Sequence, residues 1–171
     1  RFFDTTIAIQ SDSRRFLDLF GEMYPRFRVD GCVKVEATYC VLLGERTLVV
    51  GDETLVIDNV AQLIDQAYER ILEATIARIQ SHILVHAGAV SWQGQGLLLP
   101  AYSGHGKTTL ILELLRRGFR FLSDDIAALE RGRHRLVPFP RSLRVRDAAL
   151  VMSGHANLIA ARPERGPTPP P

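Results

Sequence analysis

Ala101, Gly106, Lys107 and Thr108 in "AYSGHGKTTL" meet the Walker A spacing, a small residue, four free positions, then Gly-Lys-Thr. The chemistry that suits these residues is the cradling of phosphate. Backbone N–H groups turned inward around an oxyanion favour small residues, here Ser103, Gly104 and Gly106, with His105 between the two glycines. A helix starting after Gly106 would add its positive end at the same place. Lys107 can reach β- and γ-phosphates, and the Thr108 hydroxyl can ligate Mg²⁺. Thr109 is the next hydroxyl and suits helix packing or an outer position around the phosphates. Residues 103–109 are therefore the candidate nucleotide-binding stretch.

A phosphate loop needs a carboxylate partner, and "FLSDDIAAL" offers Asp124 and Asp125. A helix, a turn and a returning strand separate Lys107 from the pair, which brings the pair back beside the loop. Neighbours on a strand point to opposite faces, so the two should have separate roles. One can act through the metal and the other on the attacking group. His86 lies in the apolar strand "LVHAGAV". A lone histidine there is more often a satisfied core residue, with a functional role as the alternative.

The elements that must position these groups follow from hydrophobic spacing. "GLLLP" before the loop reads as a strand, and "TTLILELLRR" after it as a helix with Gly118 at its C-terminal stop. "ILVHAGAVSW" and "GLLLPA" around "QGQG" read as a hairpin. "FRFLSDDIAALE" reads as a buried strand, "RGRHR" as a turn and "LVPF" as a further strand. Upstream, residues 3–10 read as a strand. Ser11 or Asp12 is expected to cap a helix stopped by Pro25. "GCVKVEATYCVLLG" is a second strand, with Val33, Val35 and Ala37 on one face. Gly51-Asp52-Glu53 centre a hairpin. Residues 59–80 form a scaffold helix capped by Asp58 or Asn59, with Val60, Ile64, Ala67, Ile71 and Ala74 as its core-facing stripe.

The expected organisation is a small αβ lobe over 1–58, a connecting helix over 59–80, a core over 81–155 and a proline-rich, disordered tail over 156–171. The chain has 171 residues, 46% hydrophobic and 23% charged, with formal charge +2. That charge is too mild to imply nucleic acid, and the basic stretch after the acidic pair lacks aromatic interleaving of the kind single-stranded nucleic acid would want. No apolar run approaches the roughly 18 residues of a membrane span, and the first residues lack a secretory pattern. Cys32 and Cys40 are expected to be buried and reduced, as in a cytoplasmic protein. On one straight strand they would lie about 26 Å apart, too far for a disulfide.

The stretch "HAGAVSWQGQGLLLPAYSGHGKTTLILELLRRGFRFLSDDIAAL" resembles the catalytic core of the HPr serine kinase/phosphorylase family, most closely its compact relatives, which include kinases of lasso-peptide precursors. The shared features are a histidine followed by a small residue, a hairpin, the phosphate loop, a helix ending in "RG" and paired aspartates. They cover roughly residues 84–130. The resemblance implies an α/β fold with a P-loop kinase core of the HPr kinase/phosphoenolpyruvate carboxykinase type. It implies ATP and Mg²⁺ as cofactors, and a peptide or small-protein acceptor carrying a serine or threonine hydroxyl, a ribosomal peptide precursor being one such acceptor. It carries the general-base role to Asp124, assisted by His86, with Lys107 on the phosphates and Thr108 and Asp125 supporting the metal. Family enzymes often form hexamers, so a homo-oligomer is among the states it allows.

The chain departs from the family in three ways. Thr109 stands where a glutamate is common, the C-terminal basic, glycine-containing signature is missing, and the first 80 residues do not match the N-terminal domain of the bifunctional enzymes. Kinase activity is expected; phosphorolysis is not implied. The rival reading is a nucleotide-dependent binding or regulatory module without transfer. Arg131, Arg133, His134, Arg135, Arg141, Arg144 and Arg146 form a basic stretch. It reads as a solvated loop and strand edge, or as a patch for an acidic peptide or for ATP phosphates.

Overall fold

The computed structural model describes residues 1–102 and 104–139. It is a mixed α/β protein with three α-helices and three sheets among those residues. Two compact units divide them. One comprises Arg1–Val85 and the stretch from Ala128; the other is His86–Ala127. The division differs from the boundaries expected at residues 58 and 80, because the long helix belongs to the first unit. Ser103 and everything from 140 onward, including Arg141, Arg144, Arg146 and the proline-rich tail, lie outside the described residues.

The first unit opens with a β–α–β crossover. β1 (Ile7–Ser11) and β2 (Ala37–Leu42) pair in parallel, which requires a connection longer than a hairpin, and α1 (Arg14–Met23) lies within it. Ser13, not Ser11 or Asp12, caps α1; its Oγ accepts the Phe16 amide at 3.3 Å. Asp12 serves elsewhere, accepting the amides of Leu43 and Gly44 at 2.8 and 2.7 Å. β3 (Thr47–Val50) and β4 (Glu53–Val56) complete the sheet in the order β1-β2-β3-β4. Their hairpin turns on Gly51-Asp52, with Gly51 at φ +61°. The second strand is shorter than expected. Residues 28–36 are irregular, Val33 and Val35 are exposed, and Cys32 is exposed rather than buried. Both cysteines are free, and Cys40 is half-buried.

α2 (Val60–Arg78) packs on β3. Asn59 is its cap, through a 3.0 Å bond from the Gln62 amide. Its buried stripe is Leu63, Ala67, Tyr68, Ile71 and Thr75. Val60 is exposed, so the expected stripe is rotated by about one residue at its start. Leu63, Ala67 and Ile71 are fully buried, as are Tyr39, Val41 and Leu48 of the sheet. Phe20 of α1 stacks on Tyr68 of α2 with centroids 5.5 Å apart. β5 (His82–His86), β9 (Ile126–Glu130) and β10 (Arg135–Val137) form a second sheet, in the order β10-β9-β5.

The second unit is built on a three-stranded sheet in the order β7-β6-β8. β6 (Gly88–Trp92) and β7 (Gln95–Leu99) form the expected hairpin. Its two-residue turn, Gln93-Gly94, has positive φ at both positions, the pattern whose twist matches the strands. α3 (Lys107–Arg116) follows the Gly-rich stretch and closes with Gly118 at φ +88°. The Gly118 amide bonds Leu115 O, and the Phe119 amide bonds Leu114 O, which satisfies carbonyls the helix end leaves open. A Cβ at Gly118 would come within 3.2 Å of the Trp92 ring, which stacks on Phe119. β8 (Arg120–Ser123) returns along β6. Among the described residues no helix is long and apolar enough to cross a membrane.

Candidate functional site

Three elements of the second unit converge at one end of its sheet. The first is the junction His86-Ala87-Gly88, where β5 ends and β6 begins. Ala87 is fully buried, and its amide donates to the carbonyl of Asp125 at 3.1 Å. Gly88 allows α3 to approach. A Cβ there would meet Ile111 Cδ1 at 2.6 Å and Lys107 Cγ at 3.3 Å. The aliphatic stem of Lys107 therefore lies over a position that only glycine leaves open.

The second element is the start of α3. Gly104 and Gly106 have φ of +86° and +81°, in the left-handed region that glycine enters without strain. Nothing lies within 4 Å of a Cβ built on either. Gly106 is the N-cap residue and, having no side chain, accepts no bond from the first turn. Among the described residues no N-cap side chain bonds the amides that open α3, and such amides are how a helix receives an oxyanion. His105 is exposed, and its amide bonds Tyr102 O at 3.3 Å. Thr108 and Thr109 are half-buried in the first turn.

The third element is a break in what was expected to be one continuous strand. β8 stops at Ser123 and β9 starts at Ile126, leaving Asp124 and Asp125 between them. Two features make the break. A bulge in the β6–β8 pairing puts Ala89 opposite Ser123 but Val90 opposite Phe121. Ser123 is also buried, and its Oγ accepts the amides of Asp125 at 3.4 Å and Ile126 at 3.1 Å. A serine bonding amides two and three positions ahead bends the chain at that point. The alternation argument for the two aspartates therefore does not apply, because neither is on a strand.

The bend decides which carboxylate joins the cluster. Asp125 Oδ1 lies 3.3 Å from His86 Nδ1 and 3.6 Å from Lys107 Nζ. Lys107 Nζ lies 3.4 Å from His86 Nε2. His86 and Asp125 are open to solvent, with side chains 59% and 41% exposed, whereas Lys107 is only 9% exposed. Asp124 is buried. Thus His86, Lys107 and Asp125 form a triangle around one carboxylate oxygen, and Asp124 is held in the interior.

For a metal, the Thr108 hydroxyl and a carboxylate of the 124–125 pair are hard oxygen donors of the kind Mg²⁺ takes. Among the described residues no group of three or more His, Cys, Asp or Glu could hold a metal. A metal here would draw most of its ligands from phosphate oxygens and water.

The sequence reading missed Ala87, Gly88 and Ser123. Each had a signal: two small residues directly after the histidine, and a serine directly before the aspartate pair. In the basic stretch, Arg133 and Arg135 pair with Glu130 at 3.5 and 3.1 Å, around the β9–β10 turn of the first unit.

No family model, curated protein or solved structure matches the chain.

Proposed function

We propose that the chain is an ATP-dependent kinase. It would transfer the γ-phosphoryl group to a serine or threonine hydroxyl of a peptide or small protein, through a core of the HPr kinase/phosphoenolpyruvate carboxykinase type. The observation that carries this reading is the His86–Lys107–Asp125 triangle beside a helix start whose N-cap, Gly106, has no side chain to cap it. Three residues distant in sequence supply a phosphate-binding cation, a carboxylate and a hydrogen-bonding imidazole in one place.

In this reading the amides of residues 104–109 and the Lys107 ammonium bind and orient the phosphates. Thr108 would hold Mg²⁺ together with oxygens of the nucleotide, and the ion would supply charge neutralisation for the transferring group. The proton-accepting role passes from Asp124 to Asp125, because Asp125 is the carboxylate that solvent and an acceptor can reach. His86 orients that carboxylate through the 3.3 Å contact. Asp124, buried beside it in sequence, supports the bend or the metal. The acceptor oxygen forms a bond to Pγ, and its proton passes to Asp125. The Pγ–O bond to the leaving group breaks, its electron pair staying on ADP.

Incubating the full chain with γ-labelled ATP, Mg²⁺ and a library of serine- and threonine-containing peptides tests the proposal. The expected result is one phosphate gained on a hydroxyl, absent with Asp125→Asn. Nucleotide binding without label on any peptide or on the chain itself assigns the module reading instead.

A further inference from the structure

We infer that Lys107 is a latch on Asp125: without nucleotide it occupies the carboxylate, and the phosphates of a nucleoside triphosphate draw it off. The inference rests on the kinase reading of the same site and adds an order of events to it. The ammonium leaves Oδ1 of the proton acceptor only once nucleotide is bound.

Two duties of Lys107 conflict. Asp125 Oδ1 already faces both His86 Nδ1 and Lys107 Nζ, at 3.3 and 3.6 Å. Both contacts fall on Oδ1, so a hydroxyl approaching that oxygen would compete with the ammonium for it. Lys107 is also the first residue of α3, where phosphates would bind against the opening amides. Its ammonium is one compact charge on a flexible four-carbon stem. A triphosphate carries several negative charges where Asp125 carries one, so Coulomb attraction favours the phosphates.

The packing makes this a latch and not a loose contact. The Lys107 stem lies against Gly88, and the side chain is 9% exposed, so the ammonium is held in rather than waving in solvent. Its second contact, 3.4 Å to His86 Nε2, closes the triangle. When Lys107 swings toward phosphate, His86 remains on Asp125 and keeps the carboxylate aimed. Oδ1 is then relieved of the ammonium.

Lys34 and Lys107 are the lysines of the chain, so lysine labelled with ¹³C at the ε carbon gives two NMR resonances, assigned with Lys34→Arg. The probe is the imido analogue of ATP with Mg²⁺. In the free chain, Asp125→Asn and Asp125→Ala should each shift the Lys107 resonance. With the analogue bound, the Lys107 resonance should move, and the variants should then match the unsubstituted chain. The asparagine variant leaves the backbone bonds of residue 125 in place, so its fold is protected. A Lys107 resonance insensitive to both variants in the free chain overturns the latch. So does one equally sensitive with and without analogue, although the phosphate site then stands. An analogue that leaves the Lys107 resonance unmoved overturns the phosphate site itself, and the latch with it.

Discussion

The amide of Ala87 donates to the carbonyl of Asp125 at 3.1 Å, so the residue after the histidine is bonded to the aspartate that the histidine side chain contacts. The bond sets the relative position of the two backbones that carry the site. On its other side, the Asp125 amide is held by Ser123 Oγ. Asp125 is therefore fixed through both of its backbone polar groups, and the His86–Asp125 contact is a consequence of backbone registration more than of side-chain choice.

Asp125→Asn should lower phosphoryl transfer by about 10²–10⁴-fold while nucleotide binding is retained. Asp124→Asn should act first on stability, by about 1–3 kcal/mol, because it alters a buried polar group. Steady-state kinetics and urea unfolding on both variants separate the roles. Equal kinetic loss in the two would return Asp124 to the site.

Gly88→Ala should destabilise the chain by about 1–3 kcal/mol, since the added methyl meets Ile111 Cδ1 at 2.6 Å in a packed interior. Ile111→Val removes that terminal carbon and alone should cost about 0.5–1.5 kcal/mol. Combined with Gly88→Ala it should recover stability. A double-mutant cycle in urea reads the coupling; strict additivity would show that α3 does not rest on Gly88.

Tyr39 is fully buried, and its hydroxyl has no hydrogen-bond partner among the described residues. Tyr39→Phe removes an unsatisfied polar group without changing the ring. It should leave stability unchanged or raise it by about 1 kcal/mol, visible as a higher Tm. A lower Tm would reveal a partner for the hydroxyl.

Asp12 gives a pH dependence of known sign. The Gly44 and Leu43 amides hold its carboxyl below its ordinary value of 3.8. For Asp4, burial pulls the carboxyl up, but the Ser81 hydroxyl and the Gln80 and Ser81 amides outweigh it and hold it low as well. The unfolded chain binds protons more readily at both. Their stabilisation is complete above the ordinary carboxylate value and is lost as pH falls from there through the lowered folded values. Asp12→Asn should flatten the fall of the urea midpoint between about pH 5 and pH 2. An unchanged slope would remove Asp12 from the acid response.

The parts of the fold that were legible in the sequence are those where local chemistry decides. The β6–β7 and β3–β4 hairpins followed from glycine turns, and α2 and α3 from apolar spacing with Asn59 and Gly118 at their ends. The extent of β2 was misread. Val33 and Val35 alternate like a strand, yet nothing covers them, and alternation alone cannot supply a partner. The cap of α1 moved to Ser13 because Asp12 found two amides 31 and 32 residues away, a long-range competition that spacing does not reveal. The aspartate pair was located, but the bend that holds it was not. A strand would have split the two by face, whereas Ser123 broke the strand and left Asp125 beside His86 and Lys107 with Asp124 buried.

The segment 86–127 interrupts a sheet: β5 precedes it and β9, in the same sheet, follows it. In the unfolded chain, pairing β5 with β9 means closing a loop of about 40 residues, at an entropic cost of roughly 3 kcal/mol. A folded segment, with its ends already tied by the Ala87–Asp125 bond, removes most of that cost. The segment that carries the candidate site therefore also lowers the entropy needed to close the β10-β9-β5 sheet, and damage there should weaken that sheet as well.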